Sequence, residues 1–198
     1  MVPVRLSLEL MAGTSAYGLG RPMLDGAGNV VRFTTVKGYL SGMHLHDYDD
    51  AVVADLSGYV ALFDGASPYF EMPMGNIPTR HIHDLHFVAG LDREHSPASS
   101  FPQGHPLHDP SMISEGGFGR SHLLLEGYAD LDGDGAYGAG DAQFRYRINA
   151  PELIAGRHVH LHADPVAGGE LLLPLFVDVH MLLFGLDVLE CPEIDDTH

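Results

Sequence analysis

The feature that narrows the fold most is the length and rhythm of the apolar runs. Residues 4–10, "VRLSLEL", alternate apolar and polar with period two, as do 142–148, "AQFRYRI", and in part 30–36, "VVRFTTV". Period two is the spacing of a strand, whose successive side chains point to opposite faces. "SGYVALF", "DLHFVAG", "SHLLLEGY" and "LLLPLFVDV" also read as strands closed by turn residues. With 24 glycines and 13 prolines the chain is interrupted too often for long helices. No window carries a capped apolar stripe at 3.6 residues, and a turn of helix is conceivable only at 150–156, "APELIAG". The expected architecture is therefore all-β: an antiparallel β-sandwich with Greek-key-like connections and long loops. No internal repeat or linker divides it, so residues 1–198 are expected to form a single domain.

One segment breaks the rhythm. Residues 92–119 are rich in proline and glycine and have little periodicity. An irregular loop of that length in a compact domain is often functional. It is expected to cross one end of the sandwich, anchored by Phe101, Leu107, Met112 and Phe118.

Charge restricts the partners. Twenty-seven acidic residues against 10 basic ones give a net charge of −17. Nucleic acid and anionic lipid are bound through Lys and Arg, so neither is expected as a partner; cations are. The longest apolar stretch, 171–186, is broken by Pro174, Asp178 and His180, and falls short of the ~18 residues of a membrane helix, so no membrane span is expected. A single cysteine, Cys191, permits neither an intramolecular disulfide nor an all-cysteine zinc site. No signal peptide opens the chain, Met1 leading directly into "VPVRLSLEL", and this does not bear on export.

The most specific short motif is 130–141, "DLDGDGAYGAGD". It matches a calcium-type loop at positions 1, 3, 5, 6 and 12. Asp130, Asp132 and Asp134 offer hard oxygens, Gly135 allows the bend, the Ala136 carbonyl takes position 7 and Asp141 closes the cage. Its flanks read as strands, so this would be a calcium loop on a hairpin, with a structural role. The plainer alternative is an acidic hairpin turn without an ion.

Fourteen histidines form the other unusual feature. Three clusters have H-x-H spacing: His44 and His46; His81 and His83, with His86 expected on the opposite strand face; and His158, His160 and His162. On a strand, residues two apart share a face at ~6.6–7 Å, which suits two imidazoles converging on one ion. The outer members of the third cluster would be ~13 Å apart, so a complete site needs ligands from two segments. Met43 beside His44, and Met72 and Met74 upstream of His81, add thioethers, and imidazole plus thioether favours copper, particularly Cu(I), while zinc and nickel accept imidazole alone. Asp47, Asp84 and Asp164 follow the clusters and could orient imidazole N–H groups. Single histidines are more often surface or hydrogen-bonded residues. His95, His105, His108, His122, His180 and His198 are read that way, with His180 placed in the core, although His105 and His108 could close over a site.

Three segments, in order, resemble a known family. Residues 31–47, "VRFTTVKGYLSGMHLHD", resemble the early tyrosine-containing strand "YYISNIxL" of MbnP-like proteins. Residues 83–96, "HDLHFVAGLDREHS", resemble their "F-x-I-G-v-D" segment. Residues 112–135, "MISEGGFGRSHLLLEGYADLDGDG", resemble their "M-x-W…G-Y-x-F…L-E-G" segment. The resemblance implies a mostly β, exported copper-binding protein, periplasmic or secreted, of the kind that includes methanobactin-operon partner proteins and copper-repressed surface proteins of methane oxidisers. It implies histidine ligands, with His44 or His46 the nearest to the matched strand, an oxidised tryptophan completing the site, and a di-haem partner enzyme for that oxidation. This chain departs there: it has no tryptophan, so a kynurenine ligand cannot form.

Three functions follow. The first is copper acquisition, storage or buffering, with a structural calcium loop. The second is a metal-dependent oxidase or hydrolase using an open histidine site, with Glu94, Glu115 or Asp109 as base. It is disfavoured because no nucleophile or zinc-protease motif is present. The third is a calcium-stabilised binding or adhesion module, its ligand face drawn from Tyr39, Tyr59, Tyr69, Phe70, Phe101 and Phe118.

Overall fold

A computed structural model describes residues 1–92, 95, 101–114, 119–149 and 155–195. Among the described residues there is no helix of seven or more residues, and the sheets do not close into a barrel. The strands are β1 (Val2–Ala12), β2 (Ser15–Ala16), β3 (Met23–Leu24), β4 (Val30–His46), β5 (Val52–Leu56), β6 (Ala61–Asp64), β7 (Tyr69–Ile77), β8 (Ile82–Ala89), β9 (Leu123–Ala129), β10 (Ala142–Ile148), β11 (Ala155–Ala163), β12 (Leu171–Asp178) and β13 (Glu193–Asp195). The first sheet sets β1 between β12 on one side and β2 and β7 on the other. The second runs β11-β8-β4-β9-β10-β13, with β3, β5 and β6 also paired to β4.

The all-β reading holds. The sheets are mixed, however, because β1–β12 and β10–β13 pair in parallel. Alternation builds the core. Val2, Val4, Leu6, Leu8 and Leu10 of β1 are at most 2% exposed and meet Val31, Phe33 and Val36 of β4 in one apolar cluster between the sheets. Each such leucine contributes about 1.5–3 kcal/mol by leaving water. Among the described residues no helix is long and apolar enough to cross a membrane.

β4 is the spine of the second sheet, and its irregularities decide what faces outward. Gly38 lies under the Phe63 ring; a Cβ there would sit 2.3 Å from Phe63 Cζ. At Gly42, with φ +56, the register against β8 slips by one residue between Ser41 and His44. Without that bulge, Leu40 and residues 42, 44 and 46 would share the inward face. With it, Met43 and Leu45 turn inward, fully buried, and His44 and His46 turn out.

The outer face of this sheet divides in two. One half carries Tyr39 and Leu124 and is covered by the segment 101–114, whose Leu107 and Met112 are fully buried and whose Phe101 packs beside them. These are three of the four expected anchors; Phe118 lies outside the described residues, as does most of the conceivable helical turn at 150–156. Lys37 ties the cover down through Asp109 at 2.7 Å and Ser111 at 3.1 Å. The other half carries the histidines.

A candidate metal centre on the outer sheet face

Cross-strand register makes a small grid on β4, β8 and β11. His44, His86 and His158 are direct partners across the three strands, and His46, Asp84 and His160 form the adjacent rung. Ring centroids then follow one another: His44–His46 at 6.3 Å, His46–His86 at 3.9 Å, His86–His158 at 5.7 Å, His158–His160 at 5.4 Å, His160–His83 at 5.2 Å and His83–His162 at 4.5 Å.

The densest group is His83, His160 and His162, each offering a ring nitrogen within 4.8 Å of the others. A bulge produces it. Between His160 and Ala163 the edge strand β11 holds one residue more than β8, so Leu161 and His162 stand opposite His83. His162 has φ +49, a left-handed conformation that a non-glycine residue adopts at a cost of order 1–3 kcal/mol. Asp84 sits between two of the rings. Its carboxylate lies 2.8 Å from His83 Nδ1 and 2.5 Å from His160 Nδ1. The hydrogen bond from His83 is the main reason its carboxyl is held below the usual range, with burial opposing. When Nδ1–H donates to a carboxylate, the same imidazole presents its Nε2 lone pair to an ion, in a fixed orientation.

A second group joins His46, Asp50 and His86. Asp50 Oδ1 lies 2.8 Å from His46 Nδ1 and 3.8 Å from His86 Nε2, and the two rings stack with planes 7° apart. Burial holds the His86 imidazolium below its ordinary value, with the neighbouring His46 adding to the effect.

The other expected ligands lie close to these groups without joining them. His81 gives Nδ1 to Asp164 at 2.7 Å and stacks on Tyr48 at 4.7 Å; its Nε2 is buried with no hydrogen-bond partner among the described residues. Tyr48 also touches His83 and His162. His44 lies 3.5 Å from Asp55, and His158 sits between the two groups.

Several expectations need correction. His86 is not on the face opposite His83. Ile82 and Leu85 are both fully buried, three residues apart, so the alternation slips within β8 and brings His86 out beside His46. The thioethers are not at the histidine face: Met43 and Met74 are buried in the core, and Met72 and Met74 lie on β7 in the other sheet. Asp47 orients no imidazole; it pairs with Arg80 at 2.6 Å and accepts from the Asp49 and Ala51 amides. Asp164 serves His81 rather than its own cluster. His180 is exposed, because Val179 and Leu183 take the inward positions of its short 3-10 segment. Asp50 and Tyr48 were not singled out in the sequence; the "DYDD" turn after His46 was the available signal.

The remaining described histidines have local partners. His95 meets Asp92, His105 accepts from Leu107 N–H, His108 meets the Phe101 carbonyl, and buried His122 accepts from Leu91 N–H. His105 and His108 line a separate cleft with Met72. Glu94, Glu115 and His198 lie outside the described residues.

The acidic loop does sit on a hairpin, between β9 and β10. Asp130, Asp132 and Asp141 bring carboxylate oxygens within 4.8 Å of one another. Asp134 is outside that group and accepts from the Ala136 amide at 2.7 Å. Asp141 accepts from the Leu131 and Gly138 amides, and Asp130 is buried against Arg32 at 2.9 Å.

No family model matches the chain, and no curated protein matches it in sequence. Among solved structures it is similar to MbnP from Methylosinus trichosporium, with a TM-score of 0.54 and 18% identity, over 93% of this chain and 78% of that one. The two share a fold, as the segment resemblances led us to expect.

Proposed function

We propose that this chain binds copper on the outer face of its larger sheet, outside the cytoplasm, for acquisition, storage or buffering. The observation that carries the reading is the convergence of His83, His160 and His162 from two strands, with Asp84 aligned on two of them. Two features support the fit of an ion to these residues. Left-handed His162 places an imidazole where no core packing requires one, and the buried His81 Nε2 nearby lacks a partner. Neutral imidazoles beside carboxylates accept Cu(II), Ni(II) or Zn(II); Cu(II) binds most tightly of the three, and the absence of thioethers moves the preference away from Cu(I). The MbnP-like resemblance implies copper, and the fold likeness supports it. His160, with a side chain 60% exposed, leaves the ion within reach of exchange, as a carrier needs. The reading requires no haem partner, since there is no tryptophan to oxidise.

Binding is preferred to catalysis. Asp109, the candidate base within the described residues, is held by Lys37 and Ser111 under the 101–114 cover. A structural calcium on Asp130, Asp132 and Asp141 belongs to the same proposal, with Arg32 already neutralising part of the charge. The adhesion reading loses Tyr39, which is buried.

Titration with Cu(II) and Zn(II) against a chromophoric chelator tests the copper assignment. A His83→Ala/His160→Ala variant is expected to lose at least a hundredfold in affinity. Unchanged affinity overturns the reading.

A further inference from the structure

The grid of donors extends past the His83 group, and its far end has a different chemistry. His46 comes from β4, His86 from β8 and Asp50 from the turn joining β4 to β5. All three offer a ligand atom within 4.8 Å of one another. The turn is built to present Asp50. Asp47 N–H donates to the Ala51 carbonyl, Asp50 N–H to the Asp47 carbonyl, and the Asp47 side chain accepts from the Asp49 and Ala51 amides. Within that frame Asp50 takes φ +59, a left-handed backbone. The carboxylate so placed meets His46 and His86, and its side chain is 78% exposed, free to turn toward an ion.

One of the three residues, His86, also borders open space. His86 also lines an open cleft of about 670 Å³ together with His44, His158, Ser57 and Arg157. The cleft gives solvent or a small anion access to His86, and His44 and His158 stand on its rung as reserve donors. Two imidazoles and a carboxylate make a harder donor set than three imidazoles, one that takes a divalent ion such as Zn(II).

We infer that His46, His86 and Asp50 form a second transition-metal site, so that the face holds two ions at once, the second in a two-histidine, one-carboxylate site. This rests on the proposed reading that the face binds transition ions.

Metal content of the full chain after Zn(II) or Cu(II) loading and gel filtration, measured by native mass spectrometry, tests it. Two ions per chain are expected. An Asp50→Asn/His86→Gln variant, in which asparagine tolerates the left-handed turn, should hold one, and a His83→Ala/His162→Ala variant should also hold one. An Asp132→Asn/Asp141→Asn variant should keep both, which separates the acidic loop from the count. One ion in the parent, lost with the His83/His162 pair and untouched by the Asp50/His86 pair, overturns the second site and leaves the copper proposal standing. No bound ion at all overturns both.

Discussion

Asp84→Asn changes one atom type at the point where the proposed copper site is aligned. One carboxylate oxygen of Asp84 accepts from His83 Nδ1 at 2.8 Å, and the other lies 2.5 Å from His160 Nδ1. An asparagine keeps one acceptor oxygen and replaces the other with an NH₂ group, which cannot accept from an Nδ1–H. One of the two rings must then turn, change tautomer or lose its partner. Loss of such an orienting partner typically lowers metal affinity by about 10–100-fold, or about 1.4–2.8 kcal/mol. The effect on the metal-free fold is smaller. The His160 side chain is 60% exposed, so water screens its pair with Asp84 and the stability change stays below about 1 kcal/mol. Chelator-competition titration, run beside thermal melts of the metal-free protein, separates the two. Asp164→Asn is the control: it aligns His81 alone and should change affinity less than threefold. If Asp84→Asn binds as tightly as the parent, or if both variants lose equally, alignment by Asp84 is not what makes the site.

Three further outcomes follow from the fold. Gly38→Ala puts a Cβ 2.3 Å from Phe63 Cζ and should cost about 1–3 kcal/mol in denaturant unfolding; a cost below 0.5 kcal/mol would contradict the close packing. His162→Gly should raise stability by about 1 kcal/mol, by relieving the left-handed backbone, while weakening copper binding; a destabilised variant would refute the strain. Burial pushes the Asp109 carboxyl up, but bonds from Lys37 and Ser111 outweigh it and hold it below the usual range. Burial likewise lowers Lys37, and Asp109 more than restores it, leaving it raised. The pair's stabilisation should therefore be present at neutral pH, fade as pH falls below about 4, and fade again as pH rises above about 10. The melting-temperature gap between the parent and Asp109→Asn should narrow at both extremes; a gap that widens in acid would contradict this.

The strands were legible because alternation is local. β1, β9 and β10 can be read from "VRLSLEL", "SHLLLEGY" and "AQFRYRI" without any partner. The parallel pairings of β1 with β12 and of β10 with β13 were not, because they join segments far apart in the chain and depend on the packing of the whole. The histidine clusters were visible as spacing, and the need for two strands followed from the strand rise. Their assignment into groups was not visible. It depends on register slips at Gly42 and at Leu161–His162, and on the broken alternation between Ile82 and Leu85. Each slip moves a side chain to the other face. That is why Met43 reads as a neighbour of His44 yet points into the core, and why His86 reads as turned away yet stacks on His46. Asp50 was hidden for a related reason: its role comes from a left-handed turn, and composition does not reveal that.

Anomalous diffraction at the copper edge, on crystals of untagged protein loaded with Cu(II), tests the central claim most directly. The account predicts a peak between β8 and β11, bound by imidazole nitrogens of His83, His160 and His162 with Asp84 behind two of them. A peak held by other residues, with those three rings left free, would contradict it.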